Sequence, residues 1–137
     1  MIDARHSLTL AAGVALAGFS AAHLIDEFVW GMPAEFHLAE STTELLALAY
    51  MLAIVGLLVQ AARGRRGGTI GLAIGGALIF AADILKHGAD ILAPGPWRSG
   101  PVSFGLALGL TLSSLLTSIA ALRWLRAMPA REGSRPS

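Results

Sequence analysis

The chain has no cysteine, which excludes disulfides, thiolate metal centres and thiol catalysis. It is also short of charge. Only 14% of its 137 residues are Asp, Glu, Lys or Arg, whereas a soluble domain carries about a quarter. Water cannot be the main solvent of such a surface. The formal net charge is +1, without the basic stripe a nucleic-acid binder needs, so nucleic acid is not an expected partner. Aromatic residues are few, with three Trp and a single Tyr. No linker interrupts the sequence, and one domain is expected.

What the chain does have is long apolar runs, with 55% hydrophobic residues and a mean hydropathy of +0.66. Crossing a hydrocarbon core of about 30 Å takes roughly 20 residues at about 1.5 Å each. Four stretches qualify, at Leu8–Trp30, Thr42–Ala62, Thr69–Leu92 and Pro101–Leu125. Ser7 could cap the first, and Ser41 and Glu44 have the capping-box spacing at the start of the second. Pro101 suits the first turn of the fourth. Short connections force antiparallel neighbours. The reading is therefore an all-α polytopic membrane protein, a four-helix antiparallel transmembrane bundle over residues 1–126. Residues 127–137 form a polar cytoplasmic tail expected to be disordered.

Orientation follows from the basic residues beside the spans. Arg5, then Arg63, Arg65 and Arg66, then Arg123, Arg126, Arg131 and Arg135 all fall on one side of a four-span topology, against Arg98 on the other. Both termini should be cytoplasmic, in the cell membrane. Trp30 and Trp97 would mark the outer interface and Trp124 the inner one. A rival reading treats Arg5, the run Leu8–Phe19 and Ser20-Ala21-Ala22 as a secretory signal peptide. Cleavage would leave three helices, but the apolar stretch continues through Leu24, Ile25, Phe28, Val29 and Trp30.

Small residues provide candidate packing faces. Gly71 and Gly75, and Gly105 and Gly109, are GxxxG pairs, and Gly13, Ala17 and Ala21 recur at four-residue spacing. These faces could pack within the bundle or meet a second copy of the chain, giving a homo-oligomer.

The candidate site is a cluster of ionisable residues in the outward half. Each such group costs on the order of 2.5–3.5 kcal/mol at the centre of a span and less near its ends. The first span carries His23, Asp26 and Glu27, the second begins with Glu40 and Glu44, and the third carries Asp83, Lys86, His87 and Asp90. At 100° per residue, Thr9, Gly13, Leu16, Ser20, His23 and Glu27 form one stripe. Asp83, Lys86, His87 and Asp90 form another. Ser103, Thr111, Ser114 and Ser118 of the fourth span could line the same interior. Counted from Thr69, Asp83 lies about 21 Å along its helix, roughly 9 Å inside the outer boundary of the hydrocarbon. The pattern reads as a pocket that opens outward, lined by His23, Glu27, Glu44, Asp83, Lys86, His87 and Asp90.

Four uses compete for it. In the plainest, Lys86 pairs with Asp83 and Asp90 on its own helix, the network only sets helix packing, and the chain is a structural or accessory subunit. In the second, His23 and Glu27, with Asp83 and His87, supply two imidazoles and two carboxylates to a divalent metal. In the third, the pocket binds a small molecule or works as a general acid–base centre. The His and carboxylate equipment resembles that of the four-helix sterol-isomerase and sigma-2-receptor superfamily. The likeness is confined to these side chains and the number of helices, and implies membrane isomerase chemistry. In the fourth, His23 and His87 are axial ligands to a haem. Segment Met32–Leu38 could be a short surface helix over the pocket.

Overall fold

The computed structural model describes residues 4–31, 37–92 and 100–128. These contain four long helices and no strand. They are α1 (Ala4–Val29), α2 (Glu40–Ala62), α3 (Arg66–Leu92) and α4 (Pro101–Ala127). Each is long and apolar enough to cross a bilayer, and the chain is a multi-pass helical membrane protein. Met32 to Phe36, most of the proposed surface helix, together with Trp97, Arg98, Arg131 and Arg135, lie outside the described residues.

Three helices begin earlier than the sequence reading places them. α1 is helical from Ala4, so Ser7 lies inside it and does not cap it. α2 starts at Glu40, with Ala39 at the N-cap and no side-chain cap. The Ser41–Glu44 capping box is therefore not what starts the helix. Thr43 bonds back within this first turn, donating from Oγ1 to the Ala39 carbonyl at 3.2 Å. α3 starts at Arg66, ahead of Thr69, and runs through two glycines. Gly68 has to lack a side chain, because a Cβ there would lie 2.5 Å from the Ala61 backbone nitrogen. The α2–α3 turn closes that tightly.

α4 is the centre of the bundle. It packs most extensively against α3 and α1, whereas α2 leans on α3 and α1 from outside. Half of the apolar stretch of α4 is buried inside the protein, against 11% for α2. At the closest α3–α4 approach, Gly76 faces backbone, and a Cβ there would meet the Ser114 carbonyl oxygen at 2.7 Å. Ser118 Oγ donates across this contact to the Ala73 carbonyl at 2.8 Å. Small residues do hold the helices close, as expected where lipid removes the hydrophobic drive, but the GxxxG pairs are not the seam. Gly75 and Gly105 face open space, while Gly71 and Gly109 receive the side chains of Leu57 and Phe19.

The interior changes character along its length. At the end carrying the start of α1 and the finish of α4, here the terminal end, it is an apolar plug. Ala61, Leu72, Ala73, Ala121 and Trp124 form the buried cluster, with Leu10, Leu57, Leu58 and Leu125 against it. Trp124 is 7% exposed and stacks on His6 with ring centroids 4.0 Å apart. It is a core residue, not the interfacial belt residue the sequence predicts. Toward the far end the interior becomes polar.

Candidate functional site

The buried residues of α1 are Thr9, Gly13, Leu16, Ser20, His23 and Glu27, the same six that share one stripe in the sequence. Lipid dictates this. A helix that must present apolar atoms all round has to turn its few polar side chains toward the other helices. α3 buries Asp83 and His87 by the same logic, and α4 buries Ser103, Ala107, Thr111, Ser114 and Ser118.

The polar groups form a ladder from the middle of the bundle to its far end. Ser20 and Tyr50 join α1 to α2 through a hydroxyl–hydroxyl bond of 2.9 Å. Next, Thr111 donates from Oγ1 to Asp83 Oδ2, a bond from α4 to α3 that is buried on both sides. The His23 and His87 rings then meet edge to face across the bundle, with centroids 5.3 Å apart. One atom each of His23, Asp83 and His87 can be chosen so that all three lie within 4.8 Å of one another. Glu27 closes the group, with Oε1 at 3.9 Å from Nε2 of both His23 and His87. Its other oxygen, Oε2, accepts from Lys86 Nζ at 2.6 Å. At the rim, Ser103 donates to Asp26 Oδ2 at 2.5 Å.

Of the residues read from the sequence, His23, Glu27, Asp83, Lys86 and His87 thus come together. Glu44 and Asp90 do not join them, and both are exposed. Lys86 makes an ion pair between helices, to Glu27, which its spacing to the acids on its own helix does not reveal. Asp26, which is not in the pocket lining read from the sequence, is tied to α4. Tyr50 escapes sequence reading because its helix is apolar on every side. Being the sole tyrosine of the chain was the one available signal.

Chemically, two imidazoles and two carboxylates converge in a region whose far side is sealed by the apolar plug. The His23 Nδ1 atom is buried with no hydrogen-bond partner among the described residues. A buried ring nitrogen without a partner forfeits the desolvation it suffers, about 1–3 kcal/mol, unless a ligand meets it. Comparison with family models, with curated proteins and with solved structures finds no match.

Proposed function

We propose that this chain binds a divalent transition-metal ion in the polar half of its bundle, with His23, Asp83 and His87 as ligands and Glu27 as the fourth donor. The observation that carries the proposal is the convergence of three ligand atoms, from helices that are not sequence neighbours, within 4.8 Å. Donors about 2.0–2.1 Å from a tetrahedral ion sit about 3.3 Å apart, so the cluster closes on an ion by side-chain rotation of roughly an ångström. Two carboxylates would balance the charge of the ion in this low-dielectric place. The Lys86 ammonium already meets the need of Glu27 for a cation, and with a third of its side chain exposed it can withdraw toward water when a metal arrives. The arginine distribution supports the far end as the outward one, which makes the pocket open to the exterior and both termini cytoplasmic. The apolar plug argues for a single-ended site and against a path for ions through the bundle.

The reading has a direct test. Full-length protein purified in mild detergent and stripped with chelator should gain thermal stability on adding Zn2+ or Co2+, on the order of 10 °C at about a hundred times Kd. Co2+ should develop the visible absorption of a four-coordinate site. His23→Ala and His87→Ala should abolish both responses while remaining folded. If the wild type binds no stoichiometric metal and its unfolding midpoint stays put, the proposal fails.

A second reading has its own support in the 2.6 Å Lys86–Glu27 pair and the Thr111–Asp83 bond, which would serve a purely structural network equally well. That reading expects the histidine variants to lose stability to the same degree with and without metal.

A further inference from the structure

A second site lies at the opposite end of the molecule. The terminal end contains a cleft of about 430 Å3 lined by Arg5, Arg123, Arg126 and Ala127. That volume falls within the range of small-molecule clefts, about 300–1,000 Å3. We infer that it binds the phosphate-bearing headgroup of an anionic phospholipid, with the lipid's chains lying against the α1 and α4 surfaces next to it.

Three observations converge. First, three of the four described residues that line the cleft are arginines. Guanidinium forks suit phosphate oxygens, which they bind two at a time. Second, the two helix ends that carry the arginines are fixed to each other. His6 follows Arg5, Trp124 follows Arg123, and the rings of His6 and Trp124 stack 4.0 Å apart. The backbone positions that carry Arg5 and Arg123 are thereby fixed relative to each other, so less of the cradle has to be ordered when an anion is clamped. Third, the surface next to the cleft is greasy on the bilayer side. Leu8, Ile119 and Leu122 are 54%, 40% and 45% exposed. They stand three or four residues from Arg5, Arg123 and Arg126, and so one turn deeper on the same helix faces. A cationic cradle above an apolar wall has the shape of an amphiphile. Basic pockets between membrane helices are suited to such headgroups. The apolar wall favours a phospholipid over free phosphate, which would need only the cradle. The other arginines of this end, Arg63 and Arg65 in the α2–α3 turn and Arg66 at the start of α3, are not among the residues that line the cleft.

The test uses the full-length protein in detergent, freed of co-purified lipid, and native mass spectrometry with three probes: a phosphatidylglycerol, a phosphatidylcholine of the same chains, and inorganic phosphate. The wild type should retain the phosphatidylglycerol saturably, at about one copy, in preference to the phosphatidylcholine. The double variant R123Q/R126Q should bind it on the order of 25-fold more weakly, taking the usual surface contribution of two basic residues. R123K/R126K should recover much of that loss, and R63Q/R65Q should bind as the wild type does. Far-UV circular dichroism and retention of the metal response at the other end would show that a weakly binding variant is still folded. Three results would overturn the inference: equal retention of both lipids, equal weakening by the R63Q/R65Q control, or saturable inorganic phosphate binding with no lipid preference.

Discussion

At the scale of single residues, the ion pair between Glu27 and Lys86 is lopsided. The Glu27 side chain is 9% exposed and that of Lys86 is 32% exposed. A lysine left alone can swing its ammonium to the interface on a flexible stem, but a buried carboxylate left alone cannot. Lys86→Met should therefore destabilise by roughly 3 kcal/mol, toward the value for orphaning a buried charge, and Glu27→Gln by only about 1 kcal/mol. The double variant should recover part of the first loss. Thermal unfolding of all three in one detergent decides it, and equal effects for the two single changes would contradict the argument. The same asymmetry explains what could be read from the sequence. His23, Glu27, Asp83 and His87 were legible because a polar group deep in a lipid-facing helix has nowhere to go but inward. Glu44 and Asp90 were not separable from them, since near a span's end water is as close as the bundle interior. The Lys86–Glu27 pair was hidden for another reason: residue spacing gives the neighbours on its own helix but not the reach of a four-carbon stem.

At the scale of elements, the helices were legible and their contacts only partly so. Length and apolarity suffice to find α1 to α4, because both are set by bilayer thickness. Their starts were less so: caps signal where a helix can begin, but nothing stops a helix from extending outward into the interface when the preceding residues tolerate it, as in α1 and α3. Packing was the hardest to read in a chain with 16 glycines, where small-residue spacings arise on every face. Gly75 and Gly76 separate a real contact from an apparent one. Gly75→Ala adds a methyl group to open space and should be neutral or stabilising by about 0.5–1 kcal/mol. Gly76→Ala drives that methyl group into the Ser114 carbonyl and should cost about 1–3 kcal/mol through forced separation of α3 and α4. The two unfolding midpoints should move in opposite directions. A larger loss at Gly75 would mean that the GxxxG face is the true seam.

At the scale of the whole molecule, the missing cysteines become an advantage, since any single cysteine introduced is the sole thiol. If both termini are cytoplasmic, as proposed, a cysteine at His37, in the α1–α2 connection, should react with a membrane-impermeant maleimide in intact cells. One at Gly64, in the α2–α3 turn, should react only after the membrane is opened. The reverse pattern would invert the topology, and labelling of both would undo the four-span arrangement. With the orientation known, the division of the interior becomes a statement about access: the proposed metal site is reached from one compartment and the arginine cleft from the other leaflet, with the plug around Leu72 and Trp124 between them. Composition alone could announce a membrane protein, but not this partition, because Trp124 looks like an interfacial residue until α1 and α4 are placed side by side.

The central position of α4 has a consequence for how the protein is made. Ribosomes deliver the chain from its N-terminus, so the central helix of the bundle emerges after the other three. Until it arrives, Asp83 and Asp26 are without the hydroxyls of Thr111 and Ser103 that meet them in the finished bundle, and the Gly76 face of α3 is open to lipid. Until then the first three helices are an incomplete set, and insertion of α4 is also the event that closes the polar interior.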